Sequence, residues 1–366
     1  MAAWLAFSGV AAAQAPLAVS RLQADAPSGQ VIQGMFDAGF VRVAGPARLA
    51  PTSPGAQWWR VTATRDIAAS GEPHLVVANP NQNWLEAWRP GDVAPQPRTA
   101  VGGDADRAFS ARALVLALPQ GLRAGQSVYL HVHVVGPVAM PVGIEPRALV
   151  HRRDLVHVAW RTAVLVTMLV LAVLALGFWL GGGERGFAWL MLALLAHVGF
   201  LAVEGGEIRL LPWLANLLGQ DLRAGRLFGA IGAIASIGFL DYYLDLSRRQ
   251  PRVMAVLKAC GVAMALVVVA TFFTVSPVVA LVANVVLIVA VGATVVATAT
   301  AARRRERAAW FLALSSTPLL VAVAWRAGGL LGAWPMPDGL AVAFPVVLAL
   351  AGLLLTLGLS DKMQQL

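Results

Sequence analysis

From Leu155 to Ser360 the chain repeats one pattern, a long apolar run followed by a short polar loop. Seven runs can be drawn: Leu155–Leu180, Phe187–Val203, Ala224–Leu246, Val253–Thr274, Pro277–Ala301, Ala308–Leu331 and Leu340–Ser360. Each is close to the roughly 17–25 residues a helix needs to cross hydrocarbon, where a helix also satisfies its own backbone polar groups. The pattern predicts seven membrane-spanning helices.

Before Leu155 the period shortens to two. Gln57–Thr64 places Trp59, Val61 and Ala63 on one face of a strand. Further strands are expected at His74–Ala78, Trp84–Arg89, Ala113–Leu118 and Ser127–Val135, with Pro90-Gly91-Asp92 and Pro119-Gln120-Gly121 as turn signals. Short alternating strands at this spacing predict an antiparallel β-sandwich or jelly roll. The chain thus divides into a sandwich over residues 16–150, a seven-helix domain over 151–360 and a short linker helix over 361–366. At the front, Ala2–Ala13 is an apolar core and Ala13-Gln14-Ala15 a small-x-small site, so Met1–Ala15 reads as an export signal lacking a basic n-region, or as an uncleaved anchor.

Arginines orient the spans. Loops after the first, third and fifth runs hold Arg185, then Arg248, Arg249 and Arg252, then Arg303, Arg304, Arg305 and Arg307. The alternate loops are poorer, with Arg209, Arg223 and Arg226 after the second and Arg326 near the end of the sixth. Short basic loops stay cytoplasmic, so the sandwich is expected outside and Leu366 inside. Arg152, Arg153 and Arg161 oppose that rule but adjoin a long exported segment, where the bias counts for less.

Composition agrees: 58% of the 366 residues are hydrophobic and 13% charged. The net charge of +9 collects at membrane edges, so topology explains it and no nucleic-acid partner is implied. A single cysteine, Cys260, excludes an intrachain disulfide framework.

Two places in the sandwich carry candidate chemistry. Trp84, Glu86 and Trp88 share a strand face, and aromatic surfaces beside a carboxylate suit a sugar ring or a cation. The competing reading makes this face core, with Glu86 at an edge. His131 and His133 also share a face, with Tyr129. An HxH pair can start a metal site, but no third ligand is identifiable in the sequence, so a solvated polar face is the simpler reading and no metal or cofactor is assigned.

Polar groups at membrane depth are functional candidates by default. His197 and Asn284 lie inside the second and fifth spans. Asp241 and Asp245, near the cytoplasmic end of the third, are expected to pair with Lys258 or the Arg248–Arg249 cluster as an inner latch. Glu204, Glu207, Arg209 and Arg326 fall near the outer surface. Gly225, Gly229, Gly232, Ala233 and Ser236 put small residues along the third span, where helices approach closely. Pro318 and Pro345 are candidate kinks in the last two spans.

These stretches resemble the bacterial seven-transmembrane receptors with diverse intracellular signalling modules, 7TMR-DISM. The likeness is carried in the sandwich by Gln57–Val61, His74–Val77, Trp84–Trp88, Phe109–Leu118 and Ser127–Val132. In the membrane it is carried by Phe239–Leu246 leading to Pro251, and by Leu357–Met363. The resemblance implies an inner-membrane receptor whose exported jelly roll, similar to carbohydrate-binding modules, senses a small molecule. It also implies a cytoplasmic output module, commonly a diguanylate cyclase or histidine kinase, and pairing of two copies. No cyclase or kinase motif occurs here, so the chain is expected to sense and transmit and not to be an enzyme. An exported glycosidase would need paired carboxylates, for which Glu72, Glu86, Asp92, Asp104 and Asp106 are available. The rival class is a transporter or channel, which needs a polar route through the spans that only His197 and Asn284 supply. Leu359, Met363 and Leu366 are spaced by four and three, one stripe of a helix that would continue toward such a module.

Overall fold

The structure, a computed structural model, describes residues 17–23, 26–51, 55–78, 84–99, 110, 112–134, 139–207, 213, 223–274, 277–305, 307–330 and 340–364. Met1–Ala15, Asp104, Asp106, Phe109, Arg209 and Leu366, which enter the expectations above, lie outside these residues.

Alternating apolar residues build ten strands: β1 (Leu17–Leu22), β2 (Phe40–Arg42), β3 (Arg48–Leu49), β4 (Gly55–Ala63), β5 (Pro73–Ala78), β6 (Trp84–Trp88), β7 (Gln96–Thr99), β8 (Ala113–Ala117), β9 (Ser127–Val134) and β10 (Met140–Pro146). They form two antiparallel sheets, ordered β2-β1-β4-β9-β6-β7 and β3-β10-β5-β8. Their inner faces share one core, in which Trp59, Val61, Leu85, Leu130 and Val132 of the first sheet meet Leu75, Val77, Leu114, Leu116 and Val142 of the second. The sandwich is therefore as expected, and all five strands read from alternation are present.

Strands β7 and β10 were hidden by Pro97, Pro141, Gly143 and Pro146. Proline lacks a ladder donor and is tolerated at edges and strand ends. Indeed β7 is an edge strand and Pro146 closes β10. Gly121, at φ +69° in the turn after β8, has no room for a side chain, since a Cβ would lie 2.1 Å from the Ile67 carbonyl oxygen.

A short helix, α1 (Ser28–Ile32), opens a strap that runs on to Phe40 across half of the outer face of the six-stranded sheet. Val31 and Phe40 of the strap bury Trp58 and Trp88 in a second, smaller core. Trp58 Nε1 donates to the Ala26 carbonyl at 3.0 Å, Tyr129 donates to Asp37 at 2.9 Å, and Arg60 pairs with Asp37 at 3.0 Å.

The spans follow as α2 (Arg147–Gly182), α3 (Arg185–Glu204), α4 (Arg223–Leu244), α6 (Pro251–Phe273), α7 (Pro277–Arg303), α8 (Arg307–Leu330) and α9 (Leu340–Gln364). All seven are long and apolar enough to cross a membrane. The chain divides into two compact units at residues 159 and 160, within α2. This helix begins at Arg147, earlier than the apolar run at Leu155, because its first two turns hold Arg147, His151, Arg152, Arg153 and Asp154.

The third span also departs from its apolar run. It stops at Leu244, and Asp245 takes a left-handed φ of 51° before the four-residue α5 (Leu246–Arg249). Asp241 secures this break by accepting from the Ser247 backbone N–H at 2.7 Å and its hydroxyl at 2.9 Å.

Close α3–α4 packing uses glycines as sockets for large side chains rather than for backbone-to-backbone approach. A Cβ on Gly232 would lie 3.1 Å from the His197 ring, one on Gly238 2.6 Å from Trp189, and one on Gly199 of α3 2.6 Å from Phe228. Pro318 and Pro345 lie inside α8 and α9 as expected.

Candidate functional site

Register decides what shares the outer face of the six-stranded sheet. β6 pairs with β9 so that Trp84 faces His133, Glu86 faces His131 and Trp88 faces Tyr129. β4 pairs on the other side of β9, setting Trp58 opposite His131. Because side chains alternate, all of these point the same way, and the two candidate groups of the sequence become one constellation.

The strap divides it. Trp88 is 2% exposed beneath the strap, its ring 5.2 Å from that of Trp58, so it belongs to the small core and does not line the open face. This corrects the expected three-residue ligand platform: a second hydrophobic layer, supplied by Ala26–Phe40, claims one of its tryptophans. Trp84 is 40% exposed and lies on the open half with Glu86, His131 and His133. That half is also not the solvated polar face expected for the two histidines, since both rings are half-buried against aromatic neighbours. Trp84 stacks on His133 at 3.6 Å with the planes 6° apart, and Trp58 on His131 at 4.4 Å and 18°. The histidine rings meet edge to face at 4.9 Å.

Glu86 Oε2 lies 3.3 Å from His131 Nδ1, while His131 Nε2 is buried without a hydrogen-bond partner. One donor atom from each of Glu86, His131 and His133 falls within 4.8 Å of the other two. Glu86 is thus the third group that the sequence alone did not join to the histidine pair. The signal missing there was strand register, which sets Glu86 directly across from His131.

Two groups bordering this face titrate away from their ordinary ranges. Burial raises the Tyr129 hydroxyl, and its hydrogen bond to the Asp37 carboxylate and that charge raise it further, against a smaller opposing effect of Arg60. At the turn after β6, burial would raise the Asp92 carboxyl. Side-chain and backbone hydrogen bonds from Arg89, together with its charge, outweigh this and leave Asp92 low. Of the carboxylates considered for a glycosidase, the three described ones have separate partners: Asp92 with Arg89, Glu72 with Arg147 at 3.2 Å, and Glu86 with His131. Glu72, His74, Arg147 and His151 border a separate surface cleft of about 410 Å³.

Within the bundle, polar residues gather near both helix ends. At one end Arg161 of α2, only 6% exposed, donates to Glu207 and to the Leu201 carbonyl of α3, while Arg326 of α8 donates to Glu204. The Arg326 guanidinium also lies over Phe200 at 5.8 Å and Phe344 of α9 at 5.5 Å. Four spans meet in this cluster, and Arg161, which opposed the charge rule, is one of its centres.

At the opposite end one of the expected pairings is present, Asp245 with the Arg248–Arg249 cluster, and Lys258 takes no part in it. Asp241 is engaged by Ser247, and Asp245 comes within 4.0 Å of Arg249 on its own short helix. Lys258 is exposed on α6, off the buried stripe Met254, Leu257, Cys260, Met264 and Val267. The left-handed turn at Asp245 keeps both acids on local partners. Lys362 of α9 makes the link instead, donating to the carbonyls of Tyr242 at 3.1 Å and Tyr243 at 3.0 Å. A cation there satisfies carbonyls at the C-terminal end of α4 that have no helical partner. Tyr242 in turn donates to Glu184 before α3.

Gly358 and Gly186 make room for the two tyrosines: an added Cβ would lie 2.8 Å from the Tyr243 hydroxyl or 2.4 Å from the Tyr242 ring. His197 bonds the Ala193 carbonyl at 2.6 Å and packs on Gly232, and Asn284 is half-buried on α7. No contact among the described residues joins the two into a route across the bundle.

Comparison with curated proteins and with solved structures finds no match. Comparison with family models finds one, 7TM diverse intracellular signalling, over residues 159–362. That match covers more than half of the chain and all seven spans apart from the first turns of α2. The chain is a multi-pass membrane protein that belongs to the 7TM diverse intracellular signalling family.

Proposed function

We propose that this chain is the sensing and transmitting part of a bacterial inner-membrane signalling receptor. The observation that carries the reading is the family match across the seven-helix bundle in a chain that also bears a β-sandwich. In this reading Met1–Ala15 directs export, the sandwich is periplasmic and Leu366 is cytoplasmic. The chain itself is not an enzyme. A small ligand, with a carbohydrate as one class, binds the sandwich, where Trp84 and Glu86 offer a stacking surface and a carboxylate. The bundle passes the change to an output module of diguanylate cyclase or histidine kinase type.

Two features support a transmission role. Helix α2 is held in the sandwich unit at its start, where Asp154 accepts from Ser110 at 2.8 Å and pairs with Arg112 at 3.4 Å. The same helix is held in the bundle by Arg161. At the other end of the bundle, Lys362 joins α9 to α4 close to where the chain would enter an output module. A homodimer, pairing two α9 extensions, fits this reading.

Reporter fusions test the topology. Alkaline phosphatase should be active when fused after Trp88 and inactive when fused after Arg304 or Leu366. Activity at Leu366 would sink the proposed orientation. Fusing the chain to a cyclase module and measuring output against candidate sugars tests the receptor reading. Constant output across ligands and across variants of the bundle would count against it.

A further inference from the structure

We propose that Glu86, His131 and His133 bind one divalent transition-metal ion of the zinc type, on the open half of the sandwich's outer face. The inference names a ligand class for the proposed sensor, and it rests on the receptor reading only for its signalling consequence. Metal binding can be measured independently of signalling.

The donor set determines the class of ion. Two imidazoles and one carboxylate suit zinc and its late first-row neighbours, whereas calcium and magnesium select six or more oxygens. Three protein donors leave a coordination position for water or for a donor atom of a second ligand, the pattern of an open rather than a closed structural site.

Geometry is near what such an ion needs. Bonds of about 2.0–2.2 Å in a tetrahedral arrangement put neighbouring donors roughly 3.4 Å apart. The Glu86–His131 pair already spans 3.3 Å, and all three donors lie within 4.8 Å. The remaining closure, about an ångström or so, is within reach of side-chain rotation around a bound ion.

The surroundings also fit. Trp58 and Trp84 each stack on one imidazole and limit its orientation. The stacked pair Trp84–His133 lies at the exposed margin, so an ion has a way in and an optical reporter beside it.

The test uses untagged full-length protein in detergent, stripped by a chelator and titrated with zinc chloride under calorimetry. One equivalent should bind per chain, with a change in tryptophan fluorescence that Trp84→Phe reduces, and millimolar calcium should not compete. Glu86→Gln and His133→Gln should each weaken binding by more than the roughly 100-fold that loss of an outer-shell partner costs. Circular dichroism checks that the variants fold. Should His133→Gln misfold, Glu86→Gln decides alone, since it preserves size and can still accept from His131. Absence of one-to-one uptake, or undiminished affinity in the folded variants, overturns the site. Uptake without any effect on the output of a cyclase fusion upholds the site and counts against the receptor reading.

Discussion

Trp84 and Trp88 are two residues apart on one strand face, yet they do different work. Trp88 fills the small core under the strap and Trp84 forms the edge of an open face. Trp88→Ala should therefore destabilise the sandwich by about 3–5 kcal/mol, the range for truncating a buried aromatic. Trp84→Ala should change its denaturation midpoint little, and urea unfolding followed by fluorescence separates the two. Tyr129 gives the pH counterpart. Its folded pKa is raised, so its contribution is complete below the ordinary tyrosine value of 10.0 and is lost as pH rises through the higher folded value. Denaturation of the sandwich should show alkaline weakening above about pH 10 that Tyr129→Phe reduces. Equal alkaline weakening in the variant would show that the strap is not held by this hydroxyl.

At the scale of elements, the α3–α4 pair depends on sockets. Gly238 receives Trp189 and Gly199 receives Phe228, each with a Cβ position under 3.0 Å from an aromatic ring atom. Gly238→Ala or Gly199→Ala should lower the thermal midpoint of the detergent-solubilised protein, whereas Gly292→Ala, with open space around its Cβ position, should not. Similar midpoints for all three would mean the rings can move aside.

This interface also shows how much of the fold was legible beforehand. Small residues on α4 announced a close contact, and long apolar runs announced every span, because hydrophobicity and size act locally. Which aromatic enters which glycine depends on helix rotation, a tertiary property. The same holds for the sheet. Alternation exposed β4, β5, β6, β8 and β9, while β7 and β10 were masked by prolines that only their edge and terminal positions tolerate. The histidine pair was visible in the sequence, but its junction with Glu86 required cross-strand register. Lys362 was overlooked as a contact because a lysine just past an apolar run reads as interfacial charge.

For the whole molecule, the question is how a change in the bundle leaves it. The two polar clusters near the helix ends share α3 and α9: Arg326 meets Phe344 of α9 at one end, and Gly358 and Lys362 of α9 meet α4 at the other. Leu359 is buried between these contacts, so α9 is gripped along its length up to Lys362. Lys362→Met keeps length and apolar bulk but removes the ammonium that bonds the Tyr242 and Tyr243 carbonyls. In a cyclase fusion it should reduce the ligand-dependent change in output by about 5-fold or more, the scale of a coupling of ~1–3 kcal/mol, while ligand affinity falls much less. Inserting one residue after Gln364 turns the following helix by about 100° and should alter output even with Lys362 in place. If output follows neither the lysine nor the insertion, α9 is an anchor and the signal leaves through another helix. If it follows the insertion alone, α9 transmits but the Lys362 grip on α4 is not the coupling element.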